Sequence, residues 1–132
     1  MNSREYRPLQ TAFLAGAVTD AVALLPMLVP SFAKTLWGFD DTSISYRFAM
    51  GYGGSLMFGW TLLLLWAARR PFERRFVAIL TVLVIAGLVV TEIGAAATGA
   101  FGVSRMIPTW CLQAVLIVWF LWAYRVSAGT CK

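Results

Sequence analysis

Four apolar runs, about 9–31, 48–68, 76–98 and 108–124, are separated by short polar stretches. Each is close to the ~20 residues a helix needs to cross the ~30 Å hydrocarbon core of a bilayer. Within the runs, Asp20 alone interrupts the first and Glu92 alone the third. The pattern predicts an all-α, integral membrane, antiparallel four-helix bundle, with residues 1–132 forming a single four-span transmembrane domain. The first run is too long for the apolar stretch of a signal peptide and contains Asp20, Pro26 and Pro30, so it reads as span 1.

Finer features follow from the residues between and within the runs. Pro8 suits the first turn of a helix, and span 1 should end or kink near Pro26 and Pro30. Residues 31–47 read as the longest loop, with Trp37 and Phe39 at the membrane interface and Asp41 or Thr42 capping the entry to span 2. In span 2, Gly51, Ser55 and Gly59 recur every fourth residue; in span 3, Gly87, Thr91, Ala95 and Gly99 do the same. Such faces let helices approach closely within the chain, and the first would equally serve a homo-oligomer. The turn "RRPFERR" (69–75) should join spans 2 and 3 as an antiparallel hairpin, and Pro108 should open span 4. Trp119, Trp122 and Tyr124 close that span with an aromatic girdle.

Composition strengthens this picture. The chain is 60% hydrophobic and 13% charged, with a mean hydropathy of +0.75, which excludes an ordinary soluble globule. Its net charge of +5 would suggest a nucleic-acid partner if it were spread evenly. Instead Arg4, Arg7, Arg69, Arg70, Arg74, Arg75, Arg125 and Lys132 share one side, against Lys34, Arg47 and Arg105 on the other. This asymmetry predicts an inner (cytoplasmic) membrane protein with both termini cytoplasmic, and no nucleic-acid partner. The expected partners of the arginine turn are anionic lipid headgroups.

Cofactor chemistry has few candidate groups. There is no histidine, the two cysteines (Cys111 and Cys131) fall at opposite ends of the last span, and no lysine lies within a span. A haem, zinc, copper or Schiff-base cofactor is therefore not expected.

Candidate chemistry rests on the intramembrane acids. A charge in mid-bilayer costs ~2.5–3.5 kcal/mol or more, so such residues usually face the bundle interior. At ~1.5 Å per residue, Asp20, Ser55, Gln113 and Glu92 fall within one layer, roughly 18–24 Å from the arginine side. Tyr52, Arg47 and Arg105 lie above it, and Trp60 could wall it. The simplest reading is structural: an acid bonded to Gln113 or Ser55, or paired with Arg47, joins two helices.

The functional reading is an acid-lined intramembrane cavity that binds or carries a small cationic or amphiphilic ligand. Asp20, Glu92, Gln113, Ser55, Tyr52, Arg47 and Trp60 would form it, with protonation and cation binding competing for the same carboxylates. An alternative is a cofactor-independent membrane enzyme. In it Asp20 and Glu92 are the catalytic acid and base acting on a lipid or isoprenoid by isomerisation, cyclisation or epoxide opening; Phe58 or Trp60 would then face a developing carbocation. A third reading is an accessory subunit of a larger membrane complex.

Overall fold

A computed structural model describes residues 7–38, 43–99 and 102–129. The described chain is helical: α1 (Arg7–Leu28), α2 (Pro30–Trp37), α3 (Ile44–Arg69), α4 (Phe76–Ala97) and α5 (Val103–Gly129). All but α2 are long and apolar enough to cross a membrane. These four helices mark a multi-pass membrane protein.

Local chemistry explains most of the boundaries. Pro26 sits inside α1, but the helix ends at Leu28 because Val29 precedes Pro30. A residue before proline is driven out of the helical region, and Val29 has φ −119° and ψ 106°. Pro30 then occupies the first turn of α2, where its missing N–H costs nothing. The expected loop thus begins with an eight-residue helix. Gly38 ends α2 at φ 77°, its N–H returning to the carbonyls of Ala33 and Lys34; glycine tolerates this left-handed geometry without a Cβ penalty. A Cβ there would also overlap the Arg105 guanidinium.

The expected caps Asp41 and Thr42 lie outside the described residues. Ser43 caps α3 instead, its Oγ accepting from the Tyr46 N–H at 3.1 Å. Pro108 does not open the last helix: α5 starts at Val103 and carries Pro108 in its second turn. Proline removes one ladder bond there, which a long apolar helix tolerates when the freed carbonyl is satisfied locally.

Helix pairing departs from chain order. α1 packs against α3 and α5, and α5 against α4. The hairpin neighbours α3 and α4 scarcely touch, so the expected close packing across the arginine turn is replaced by packing on α1 and α5. α1 and α3 run antiparallel. The Gln10 Nε2 donates to the Ala68 carbonyl at 3.3 Å, Gly16 meets Leu64, and Gly54 meets Leu24, Met27 and Leu28.

The buried core lies towards the 69–75 turn. It joins Leu9, Ala12, Phe13 and Ala17 to Leu64, Ala67 and Ala68, then Val77, Ala78 and Ile85, then Leu116, Phe120 and Ala123. Phe13 and Phe120 tilt against each other with centroids 5.9 Å apart. Gly16 makes room for both Phe120 and Leu64, whose atoms would stand 2.9 and 3.2 Å from an added Cβ. Buried hydroxyls do not disturb this core. Thr61 and Thr81 donate to the carbonyls of Met57 and Val77, four residues earlier in their own helices.

The small-residue faces read from the sequence are not helix contacts within the chain. Gly51, Gly59 and Gly87 would meet nothing within 4 Å if given a Cβ, and all three are exposed. The close approaches use Gly16 and Gly54 instead.

Candidate functional site

Glu92 lies on α4, about 8 Å from the helix end at Ala97 at the standard rise. It turns towards α5, where two donors one helical turn apart meet its two oxygens. The Trp110 Nε1 donates to Oε2 at 2.9 Å and the Gln113 Nε2 to Oε1 at 3.0 Å. Residues three apart share a helix face, so Trp110 and Gln113 form a fork around the carboxylate. No ion pair reaches Glu92 among the described residues. Arg105 covers Gly38 at the end of α2, and Arg47 is exposed on α3.

Asp20 has a different setting. It lies one turn beyond Gly16 and one turn before Leu24, both of which meet α3. The antiparallel register that pairs Gly16 with Leu64 brings Asp20 level with Trp60. Its side chain is half-buried, and among the described residues it makes no hydrogen bond or ion pair. Trp60 packs on the core, yet its indole N–H is buried without an acceptor.

Within the expected polar layer, a hydrogen bond links only Glu92 and Gln113 among the described residues. Glu92 and Gln113 come together, and Trp110 joins them. Asp20 shares the face of α1 that carries Gly16, which meets both Leu64 of α3 and Phe120 of α5, and Trp60 is its neighbour in level on α3. Ser55 is exposed, its hydroxyl turned back to the Tyr52 carbonyl of its own helix at 2.8 Å. Tyr52 is exposed and stacks on Phe48.

Sequence reasoning missed Trp110. The available signal was its position one turn before Gln113, on the face that an intramembrane glutamine selects.

A further cavity of about 480 Å³ is an open apolar groove along α5, lined by Ala114, Val115, Val118, Trp119 and Trp122. None of the polar residues above lines it.

At the opposite end from Glu92, the turn is tied locally. Arg70 pairs with Glu73 at 3.4 Å. The Arg74 guanidinium lies 3.3 Å above the centre of the Trp66 ring and also donates to the Trp66 carbonyl. Such a cation–π contact holds the turn arginine flat against the end of α3.

Comparison with known protein families, curated proteins and solved structures finds no match to this chain.

Proposed function

We propose that this chain is a cytoplasmic-membrane protein that binds a small cationic or amphiphilic molecule at Asp20. In this reading both termini and the 69–75 turn face the cytoplasm, as the charge asymmetry favours, and the four long helices form the membrane bundle. The observation that carries the proposal is the Asp20 carboxylate: half-buried within a span and without a hydrogen bond or ion pair among the described residues. An ionisable group placed so expensively calls for a partner. A cation supplied by a ligand fills that role, and the Trp60 indole offers an unused donor at the same level. A proton competes for the same oxygens, so binding and protonation exclude each other.

The acid–base enzyme has less support. Two catalytic carboxylates must address one substrate, yet α1 and α4 are joined mainly through α5.

The test is titration of purified protein in lipid nanodiscs with a fluorescent lipophilic cation. Asp20→Asn should abolish saturable binding while leaving the protein folded, and Trp60→Phe should weaken it. Equal affinity in wild type and Asp20→Asn would sink the proposal. Orientation is tested separately by cysteine labelling of intact cells, after Cys111 and Cys131 are replaced by serine. Val103→Cys should react from outside and Glu73→Cys should not.

A further inference from the structure

Gln113 is 8% exposed, and its Oε1 is buried without a hydrogen-bond partner. Its Nε2 is spent on Glu92 at 3.0 Å. Because the two amide atoms share one carbon, the orphan oxygen lies beside the carboxylate. Turning the amide over does not cure the deficiency. Oε1 could then accept from a protonated Glu92, but Nε2 would become the buried group without a partner. A buried polar atom left unsatisfied costs ~1–3 kcal/mol. The site therefore carries two unmet demands at once: an acceptor without a donor, and a carboxylate whose only partners are neutral.

One occupant answers both. We propose that Glu92 and Gln113 bind a small alkali cation, with sodium as the probe, between the carboxylate and the amide oxygen. Each carboxylate oxygen accepts one hydrogen bond from α5 and keeps lone-pair capacity for an ion. Hard oxygen donors suit a hard cation, and a single carboxylate balances a single positive charge. A divalent ion is poorly served, since no cluster of three or more acidic, histidine or cysteine groups exists among the described residues. Thr109, half-buried, lies one turn before Gln113 on the same face of α5. Access is short. Glu92 lies about 8 Å from its helix end, in the part of the molecule beyond the packed core. The site does not rest on the Asp20 reading, which concerns a different carboxylate and a bulkier ligand.

The experiment compares thermal unfolding of the purified full chain in sodium chloride and in N-methylglucamine chloride at equal ionic strength. With sodium about tenfold above its Kd, the melting temperature should rise by roughly 4–7 °C. Glu92→Gln, which keeps the shape of the side chain, and Gln113→Met should each remove the difference. Potassium acting as well as sodium also supports the site, because N-methylglucamine is too large to enter it. Identical melting in both salts for the wild type would overturn the proposal. So would a sodium effect of the same size in Glu92→Gln. If Gln113→Met does not fold, equilibrium dialysis of radioactive sodium with wild type and Glu92→Gln decides the matter. Loss of this effect alone leaves the lipophilic-cation test at Asp20 untouched, so the two proposals fail separately.

Discussion

From Leu9 to Ala17, the face of α1 turned to its neighbours is buried. From Asp20 to Leu28, on the same helix, only Pro26 is. α3 and α4 repeat the contrast. α3 buries Thr61, Leu64, Ala67 and Ala68 near the turn but only Gly54 beyond it. α4 buries nothing after Ile85. In lipid, an apolar surface gains little by leaving one hydrocarbon environment for another, so helices associate only where they fit closely. The end nearest the arginine turn achieves that fit with alanines and Gly16 set against Phe13, Phe120 and Leu64. The distal end buries fewer residues: Ala33 on α2, Met106 on α5, the notch at Gly54 and the polar fork at Glu92. Regions with few buried contacts open at lower cost and commonly hold binding sites. Both proposed ligand sites lie on that side of the core.

Deleting the central aromatic is the strongest way to break the comparison. Phe120 is fully buried, touches Gly16 and packs on Phe13. Phe120→Ala should destabilise the protein by about 3 kcal/mol, as comparable cavity-forming changes do. Gly16→Leu, which forces a side chain into Phe120 and Leu64, should cost about 2 kcal/mol. Both are read from reversible unfolding in mixed detergent. If either proved silent, the tight end would not be the source of stability.

A smaller effect is expected at the distal fork. Trp110→Phe removes the indole donor but keeps an aromatic ring, so it should cost about 0.6 kcal/mol, the average for an interhelical hydrogen bond in a membrane. A double-mutant cycle with Glu92→Leu, which removes the acceptor, should return a coupling of similar size. A value approaching that of Phe120→Ala would make the fork a second structural centre and erase the contrast between the ends.

How much of this was legible beforehand depended on the kind of signal. The four long helices were visible because hydropathy is a one-dimensional property, and their ends moved by only a few residues. α2 was missed because its eight residues fall after a proline break and read as a polar-leaning connection. The extra length of α5 was missed because Pro108 was taken as a start rather than an interior residue that lipid-embedded helices tolerate. Helix partners were not legible at all. Short turns predict that chain neighbours pack, but the contacts depend on which side of each helix carries the close-fitting residues. Ala12 and Gly16 have the same four-residue spacing as Gly51 and Ser55, and only a partner bearing Leu64 and Phe120 distinguishes them. The link between Glu92 and Gln113 was legible from depth. That Asp20 makes no hydrogen bond among the described residues was not, because depth does not specify direction around a helix.

The smallest expected effect therefore belongs to the glycines that the four-residue spacing singled out. Gly51 and Gly87 lie mid-helix, are exposed, and have nothing within 4 Å of a built Cβ. Adding a leucine side chain at either position displaces only detergent or lipid, while leucine itself favours the helix over glycine by most of ~1 kcal/mol in water. Gly51→Leu and Gly87→Leu should thus shift unfolding of the detergent-solubilised monomer by no more than about 0.5 kcal/mol in either direction. Size-exclusion chromatography with light scattering separates the remaining possibility. If the wild type self-associates and Gly51→Leu breaks that association without altering monomer unfolding, the Gly51, Ser55 and Gly59 face serves a second copy of the chain. If Gly51→Leu destabilises the monomer as much as Gly16→Leu does, α3 has a second close contact inside the chain, and the division into a packed end and an open end is wrong.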